Sequence, residues 1–377
     1  MLNLKYKGIK MNLKDTIKKI NVAYKNHQDI DEILTDLKDE SCIGYWGTRF
    51  CEDEFPQNLE LAKELFIIEQ NKLSKENDIN GTIELIDNIA KDFKDKVWAE
   101  EIAKKVLNTK IEDNDSMLRL FISVVSPEIL NNQELGTQCL NKLNQLELSA
   151  AQYIRLAEAT SKYINDISLA KDFITKALDS EDCDTSDIIN AADVLAQEDC
   201  INDKVEAKRL YKSAQNKAID LEEYNKLLSS INSNLNDKEF LESIITEVKL
   251  KLKEDDDFFE FAGDCTEIMD LGRFIADENI LDNKESAKEI FNLLLQYKEI
   301  YDLLDTARAV IEVYEDTDED YKNEFLIAII NKAEGCIEQG YYCDLYSLMI
   351  DDLGDEDMAD EFKENYYDEM VEDGCEE

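Results

Sequence analysis

Cysteine and histidine are the side chains best suited to metal binding or nucleophilic chemistry, and in this chain neither forms a recognisable site. The chain has nine cysteines but one histidine, His27, which lies in a polar stretch typical of a surface turn. A structural zinc site needs closely spaced cysteine and histidine ligands, whereas these cysteines are scattered, so we expect no metal site. Because no secretory signal is recognisable, we expect free thiols in a cytoplasmic protein.

The catalytic motifs that spacing can reveal are also missing from the sequence. It contains no glycine-rich phosphate loop, no dinucleotide fingerprint, no nucleophile elbow and no zinc-peptidase helix motif. Asp and Glu together number 87 of 377 residues, so two of them lying close together carry no information. We therefore predict no catalytic residue, no cofactor and no enzymatic activity. A hydrolase that uses two acids is the weakest alternative.

Two groups of aromatic side chains are candidates for binding a partner protein. Tyr45, Trp46 and Arg49 lie in the densest aromatic segment, and these residue types dominate interface hot spots. Phe258 and Phe259 stand among acids and can anchor a basic peptide. The alternative is that both groups pack into the core. For the segment around Trp46, which precedes the first regular unit, we favour this alternative, because terminal repeats must cover an exposed core.

The elements that carry these residues are indicated by a spacing that recurs along the chain. Asp or Asn opens nine segments, at intervals of 37, 37, 34, 37, 34, 46, 35 and 37 residues. The nine positions are Asn58, Asp95, Asn132, Asp166, Asp203, Asp237, Asn283, Asp318 and Asp355. Asp and Asn side chains accept hydrogen bonds from the free N–H groups of a first helical turn, so we expect nine helix N-caps. Periods of this length are typical of stacked two-helix units.

Apolar periodicity supports a helix after each of these caps. The fourth residue after the cap is small in seven segments, Leu241 and Lys322 being the exceptions, and the seventh is apolar in all nine. Steps of three, four and seven residues lie on one face of a helix. The small residues are Ala62, Ala99, Gly136, Ala170, Ala207, Ala287 and Ala359, and the apolar ones are Leu65, Ile102, Cys139, Phe173, Leu210, Ile244, Ile290, Phe325 and Phe362.

The strings of the second helix resemble a known family. Residues 170–178, 207–218 and 287–295 are similar to the second helices of tetratricopeptide and Sel1-like repeats, and the resemblance covers roughly residues 57–371. The family implies a right-handed superhelix with a concave binding surface. No binding motif of the family matches here, so the resemblance carries over no binding residue. The expected fold is all-α, a divergent α-solenoid of about nine helix-turn-helix repeats.

The expected organisation has three parts. Residues 1–56 form a basic N-terminal segment with a helix near 11–38 and an aromatic turn, with Met11 as an alternative start. Residues 57–371 form the helical array, and residues 372–377 form an acidic tail. The 46-residue interval before Asn283 holds an insertion, either a long loop or an extra helical turn. No apolar run reaches the length of a transmembrane helix.

Charge is the second signal that bears on function. The formal net charge is −45, and residues 251–377 carry 40 acids against 10 bases. Much of this charge is typical of a solvated helical face, but acidic surfaces also attract basic partners. Phosphate contacts need Lys and Arg, so direct nucleic-acid binding is not expected. We predict a monomeric adaptor or scaffold that binds a protein with a basic surface or peptide. The alternative is an acidic inhibitor or immunity protein, or a nucleic-acid mimic, that neutralises a basic enzyme.

Overall fold

The computed structural model describes residues 5–6, 9–10, 22, 25–26, 43–52, 57–255, 258, 265–296, 299–334, 337 and 340–375. These residues are helical apart from turns and one antiparallel pair of two-residue strands, β1 (Lys5–Tyr6) and β2 (Ile9–Lys10). The predicted all-α class is therefore confirmed in this part of the chain, whereas the strand pair was not predicted. Most of the helix expected at 11–38 lies outside the described residues.

The helices follow one another with short connections. In chain order they are α1 Ile43–Arg49, α2 Leu59–Glu76, α3 Ile79–Lys91, α4 Lys96–Leu107, α5 Asn114–Val125, α6 Gln133–Leu143, α7 Ala150–Ala159, α8 Ile167–Leu178, α9 Thr185–Ala196, α10 Lys204–Gln215, α11 Leu221–Leu235, α12 Lys238–Glu254, α13 Cys265–Ala276, α14 Lys284–Leu294, α15 Ile300–Tyr314, α16 Glu319–Ala333, α17 Tyr342–Ser347, α18 Glu356–Asn365 and α19 Tyr367–Glu372. A π-helical turn follows α7 at Thr160–Ile164 and α17 at Leu348–Asp352.

All nine predicted cap residues begin a helix. Each side chain accepts a hydrogen bond from the backbone N–H three residues later, for example Leu135 N to Asn132 Oδ1 at 2.9 Å. These bonds satisfy one of the donors that a helix leaves unpaired in its first turn. We call the capped helices, α2 and every even-numbered helix to α18, the B helices. The odd-numbered helices from α1 to α17 are the A helices.

The turn between an A helix and its B helix has a feature that the sequence prediction missed. The residue before the cap has a left-handed backbone in many of these turns, for instance Asn131 at φ 55° and Asn202 at φ 55°. Asn tolerates this conformation better than most residues. The other residues directly before a predicted cap with positive φ are Lys94, Asn165, Asn236, Asp282 and Gly354. An Asn-Asp or Asn-Asn pair is thus the local signal for the turn.

The core lies where the periodicity placed it. The small residues four positions after the caps and the apolar residues seven positions after them are all buried, as are the two exceptions Leu241 and Lys322. Gly136 shows why a small residue is needed, because a Cβ there would lie 2.4 Å from Val125 Cγ1 of the preceding helix. Close approach of an A helix and its B helix therefore depends on this position.

The described chain divides into two compact units. One unit comprises Met1–Cys183 and Glu198–Ile201, and the other comprises Asp184–Gln197 and Asn202–Glu377. Within each unit, every A helix packs against its own B helix, and most successive A helices also pack against each other. Successive B helices share no comparable interface among the described residues. Each unit therefore has one row of closely spaced A helices and one row of more widely spaced B helices.

Two features of the second unit bear on the sequence predictions. At the insertion, α12 extends to Glu254, and its 17 residues compare with 12 in α10. Residues 256–257 and 259–264 lie outside the described part of the chain, and α2, which has no insertion, has 18 residues, so the choice between a long loop and an extra turn stays a prediction. The second feature corrects the expectation of free thiols throughout, because Cys343 and Cys375 form a disulfide, with Cα atoms 5.5 Å apart. Residues 32 positions apart in sequence meet because α19 packs back on α17, a contact that no local pattern reveals.

Candidate interaction surfaces

The aromatic segment before the first cap was predicted as a turn, but it folds as helix α1 and packs on α2. Trp46 is only 5% exposed, and Gly47 lies so close to the ring of Phe66 that a Cβ would approach it to 2.7 Å. Tyr45 and Arg49 are half-buried, with the Arg49 guanidinium 4.8 Å from the centre of the Tyr45 ring. Arg49 also pairs with Glu52 at 2.6 Å. Trp46 thus contributes to the core, and Tyr45 and Arg49 remain the accessible members of the group.

Of the second aromatic group, Phe258 packs into the core. Phe258 is 5% exposed, and its ring packs edge-on against Tyr224 at 6.1 Å. The ammonium group of Lys251 lies over both rings, 5.6 Å from that of Phe258 and 4.9 Å from that of Tyr224. A ring held in this way is not available to a partner without rearrangement. Phe259 lies outside the described residues, so its predicted role stays a prediction.

Polar side chains between α9, α10 and α11 form a network that sequence reasoning did not find. The carboxylate of Asp193 accepts hydrogen bonds from Tyr211 at 2.6 Å, Asn234 at 2.9 Å and Ser230 at 3.2 Å. Burial raises the pKa of Asp193, and the three hydrogen bonds offset this only in part. The donors come from two helices and converge on a third. We interpret this network as a link between neighbouring helices rather than as a reactive site.

A row of charged side chains crosses the A helices of the second unit. On α15, Asp305, Arg308 and Glu312 follow one another at steps of three and four residues and so share one helix face. Arg308 Nη2 reaches Asp344 of α17 at 3.2 Å, and Arg273 Nε of α13 reaches Glu312 at 3.0 Å. We define the acidic ladder as Glu267, Asp270, Arg273, Asp305, Arg308, Glu312 and Asp344.

The acidic ladder is accessible and negatively charged. The side chains of Asp270, Asp305 and Glu312 are 56%, 51% and 67% exposed. Four of its five carboxylates pair with the two guanidinium groups, Arg273 with Asp270 and Glu312, and Arg308 with Asp305 and Asp344, whereas Glu267 accepts a hydrogen bond from Asn225. The arginines therefore hold the carboxylates of adjacent helices in place without neutralising all of them.

The first unit uses arginine in the same way on its own A helices. Arg155 of α7 pairs with Asp115 of α5 at 3.1 Å, and Arg119 of α5 lies 3.4 Å from the side-chain oxygen of Asn80 in α3. One sequence signal could have found the ladder in the second unit. Arg273 stands ten residues before the cap Asn283, and Arg308 stands ten residues before the cap Asp318. Because the whole chain has only six arginines, this repeated spacing is noticeable in the sequence.

A groove of about 480 Å³ in the second unit is lined mainly by residues of α12 and α14, with Ile275 of α13. Its floor includes Ile245 and Ile275, which are 4% and 1% exposed, so little apolar surface is accessible. Lys249 lies in the groove and pairs with Glu289 at 3.1 Å and with the Ser286 hydroxyl at 2.9 Å. Because its polar groups pair with one another, this groove is a weaker candidate than the ladder.

Two absences concern only the residues that the structure describes. In that part of the chain, no group of three or more His, Cys, Asp or Glu side chains is arranged to hold a metal ion. No described helix combines the length and the apolar character needed to cross a bilayer.

Comparison with protein-family models, with curated proteins and with solved structures finds no match to this chain. The assignment of function therefore depends on the surfaces described above.

Proposed function

We propose that this protein is a non-enzymatic scaffold or adaptor that binds a partner protein with a basic surface through the acidic ladder. The observation that carries the proposal is the pairing of Arg273 with Glu312 and of Arg308 with Asp344, which joins three successive A helices into one charged surface. Binding that spans several helices is the mode that a row of parallel elements supports best.

The proposed architecture is an α-solenoid of about nine helical hairpins, similar to tetratricopeptide repeats and with a right-handed superhelix. Three observations support it: the nine caps at a regular spacing, the small residues at the helix contacts, and the closer packing of A helices than of B helices within each unit. In a stack of hairpins, the more closely spaced row lies on the inner side of the curve. The A helices of the second unit, and the ladder on them, would therefore face a concave surface.

The ladder would act mainly on the rate of association, through electrostatics, while apolar contacts retain the partner once it is bound. A surplus of fixed carboxylates raises the local concentration of a basic partner and accelerates its association, with a strong dependence on salt. The two arginines hold their carboxylates in position, so fewer side-chain conformations are lost when a Lys or Arg of the partner binds. They also repel a partner whose cationic groups are wrongly spaced, which contributes to specificity.

The rival function, inhibition of a basic enzyme, is favoured by the net charge of −30 on residues 251–377. The two functions differ in how the partner is held. An adaptor retains its partner at moderate salt through apolar contacts, whereas an inhibitor that acts by charge alone loses it, because a Debye length falls from about 10 Å at 0.1 M salt to about 3 Å at 1 M.

A capture experiment with matched variants tests the proposal. The protein is immobilised and exposed to lysate of its native cells, and the bound proteins are identified after washes at low and high salt. The ladder variant carries Asp270→Asn, Asp305→Asn and Glu312→Gln. The control variant carries Asp320→Asn, Glu324→Gln and Glu361→Gln, three exposed acids of the B helices. Both variants change the net charge equally.

The expected result is a defined partner that binds the wild type and the control but is depleted about tenfold or more from the ladder variant. Equal loss from both variants would mean that overall charge and not the ladder attracts the partner. A single basic enzyme that is lost at high salt would favour the inhibitor. Circular dichroism of each variant checks that helical content is retained.

A further inference from the structure

The last residues of the described chain are fastened to the beginning of α17 at two points. The first is the disulfide between Cys343, in the first turn of α17, and Cys375, three residues after the end of α19. Both cysteines are half-buried and therefore within reach of a small reagent. The bond joins residues 32 positions apart and so closes a loop that includes α18 and α19.

The second point is the carboxylate of Asp373. It accepts hydrogen bonds from the backbone N–H of Gly340 at 2.8 Å and from that of Tyr342 at 3.2 Å. Gly340 lies before α17, and Tyr342 is its first residue. Tyr341, the residue at the N-cap position of α17, makes no side-chain capping bond. Asp373 thus supplies from the far end of the chain the anionic acceptor that a helix start favours.

Besides these two points, the ring of Tyr366, directly before α19, packs against that of Tyr342 with 5.5 Å between centres, and little else holds α19 in place. It has six residues, of which only Met370 is buried, while Tyr367 and Val371 are 45% and 53% exposed. Residues 367–375 carry four acids and no base, and Asp344 follows Cys343 directly. Few buried apolar contacts and like charges on both sides leave a segment with low local stability. The covalent bond therefore decides whether α19 stays docked.

We propose that Cys343 and Cys375 form a reversible thiol–disulfide exchange site, and that its reduction by a small thiol releases α19 from α17. The thiolate of the reductant attacks one sulfur, forming a mixed disulfide and expelling the other cysteine as a thiolate, which takes up a proton. A second thiol of the reductant then displaces the remaining cysteine. In total, two reductant thiols become one disulfide and supply the two electrons that convert the protein disulfide to two thiols.

The acidic surroundings select the class of reductant. Asp344, Glu369 and Asp373 lie on the segments joined by the bond, and burial together with Glu369 and Asp373 raises the pKa of the nearby Tyr342 hydroxyl. The negative electrostatic potential of these carboxylates repels an anionic thiol and attracts a cationic one. We therefore assign the site to cationic or neutral small thiols in preference to anionic ones.

Hydrogen exchange measured by mass spectrometry tests the release. The full-length protein is first purified without reductant, and alkylation before and after reduction maps the Cys343–Cys375 bond. Exchange is then followed with and without a phosphine reductant. Reduction is expected to accelerate exchange of the amides in residues 366–375 at least tenfold and to leave α15 and α16 unchanged. Unchanged exchange in 366–375, or faster exchange throughout α15 and α16, would overturn the proposal.

Two variants keep the test specific. Cys343→Ser with Cys375→Ser is expected to show the fast exchange of 366–375 with and without reductant, whereas Cys183→Ser responds like the wild type. Asp373→Asn removes the second fastening but leaves the bond. It is expected to accelerate exchange of 366–375 in the oxidised protein and to add little in the reduced protein, because a released α19 no longer makes these hydrogen bonds. An equal effect in both states would mean that the disulfide does not hold α19.

The choice of reductant is tested by rates. The disulfide is reduced with cysteamine, which is cationic, and with mercaptoacetate, which is anionic, and each rate is divided by that of the same thiol with an uncharged small disulfide, because the two thiolates differ in intrinsic nucleophilicity. At low salt the cationic thiol is expected to react about tenfold faster, and high salt is expected to remove most of the difference. Equal rates at low salt would contradict the assignment to cationic or neutral thiols. They would not bear on the release of α19, which the hydrogen-exchange experiment tests separately.

Discussion

The ammonium group of Lys288 lies 2.6 Å from the carboxylate of Asp318, the residue that caps the next B helix. The same ammonium group lies 5.0 Å from the centre of the Tyr321 ring, three residues after that cap. Lys208 makes the equivalent contacts with the cap Asp237 and with the ring of Phe240, which is 5.3 Å away. In both cases, a lysine five positions after the cap of one B helix pairs with the cap residue of the next B helix.

Replacement of Lys288 by Met is expected to lower the free energy of unfolding by about 1 kcal/mol, because it removes a partly buried ion pair but keeps the aliphatic stem. Urea unfolding of Lys288→Met, Asp318→Asn and the double variant measures the coupling. Lys110→Met, at a lysine whose side chain is 84% exposed, serves as the control and is expected to change stability little. Additive effects of the two substitutions would contradict the proposed coupling.

The second prediction concerns pH. The hydrogen bond from Lys208 lowers the pKa of Asp237 below its ordinary value of 3.8. The stabilisation that this provides is full above that value and is lost as pH falls through the lowered pKa of the folded state. The stability difference between wild type and Asp237→Asn is therefore expected to be largest above about pH 5 and to shrink at lower pH. Denaturation at several pH values measures it, and a constant difference would show that Asp237 acts only as a cap.

NMR titration supplies an independent check on the same electrostatics. Burial raises the pKa of Asp193, whereas the lysine contact lowers that of Asp237. Asp193 is therefore expected to take up its proton at the higher pH when the carboxyl resonances are followed. The reverse order would mean that the three hydrogen bonds to Asp193 outweigh its burial.

The third prediction compares two glycines in helices. Alanine is favoured over glycine within a helix by about 1 kcal/mol, but at Gly136 its Cβ would lie 2.4 Å from Val125 Cγ1. Gly136→Ala is therefore expected to destabilise the protein by about 1 to 3 kcal/mol. At Gly44 the nearest neighbour would be 3.7 Å away, so Gly44→Ala is expected to be neutral or stabilising. Thermal unfolding of the two variants measures the contrast, and equal effects would refute it.

The fourth prediction separates packing from binding in the aromatic segment of α1. Trp46→Ala is expected to lower the free energy of unfolding by about 3 kcal/mol or more, because the indole is buried. Tyr45→Ala and Arg49→Gln alter half-buried side chains and are expected to change stability by about 1 kcal/mol or less. If this segment binds the partner, those two variants reduce capture while the protein remains folded. Capture that falls only with Trp46→Ala would indicate a purely structural role.

Local chemistry explains why much of the fold could be predicted. A cap residue such as Asn132 acts on an N–H group three positions away, and Ala207 and Leu210 reach the core because they share one helix face with their neighbours. These relationships are set within about one or two helical turns, so composition and spacing are enough to reveal them. The same reasoning missed the left-handed residue Asn202 before its cap, although the Asn-Asp pair was visible.

The sequence by itself determined the helical class, the nine caps and the buried positions behind them, because each depends on residues a few positions apart. The tertiary structure alone decided that Phe258 is buried, that Arg273 meets Glu312, and that Cys343 bonds to Cys375, whereas burial of Trp46 was already the favoured expectation. These contacts join residues on different helices, so they depend on how the helices pack rather than on any local pattern. The candidate ladder and the proposed exchange site are both of this second kind.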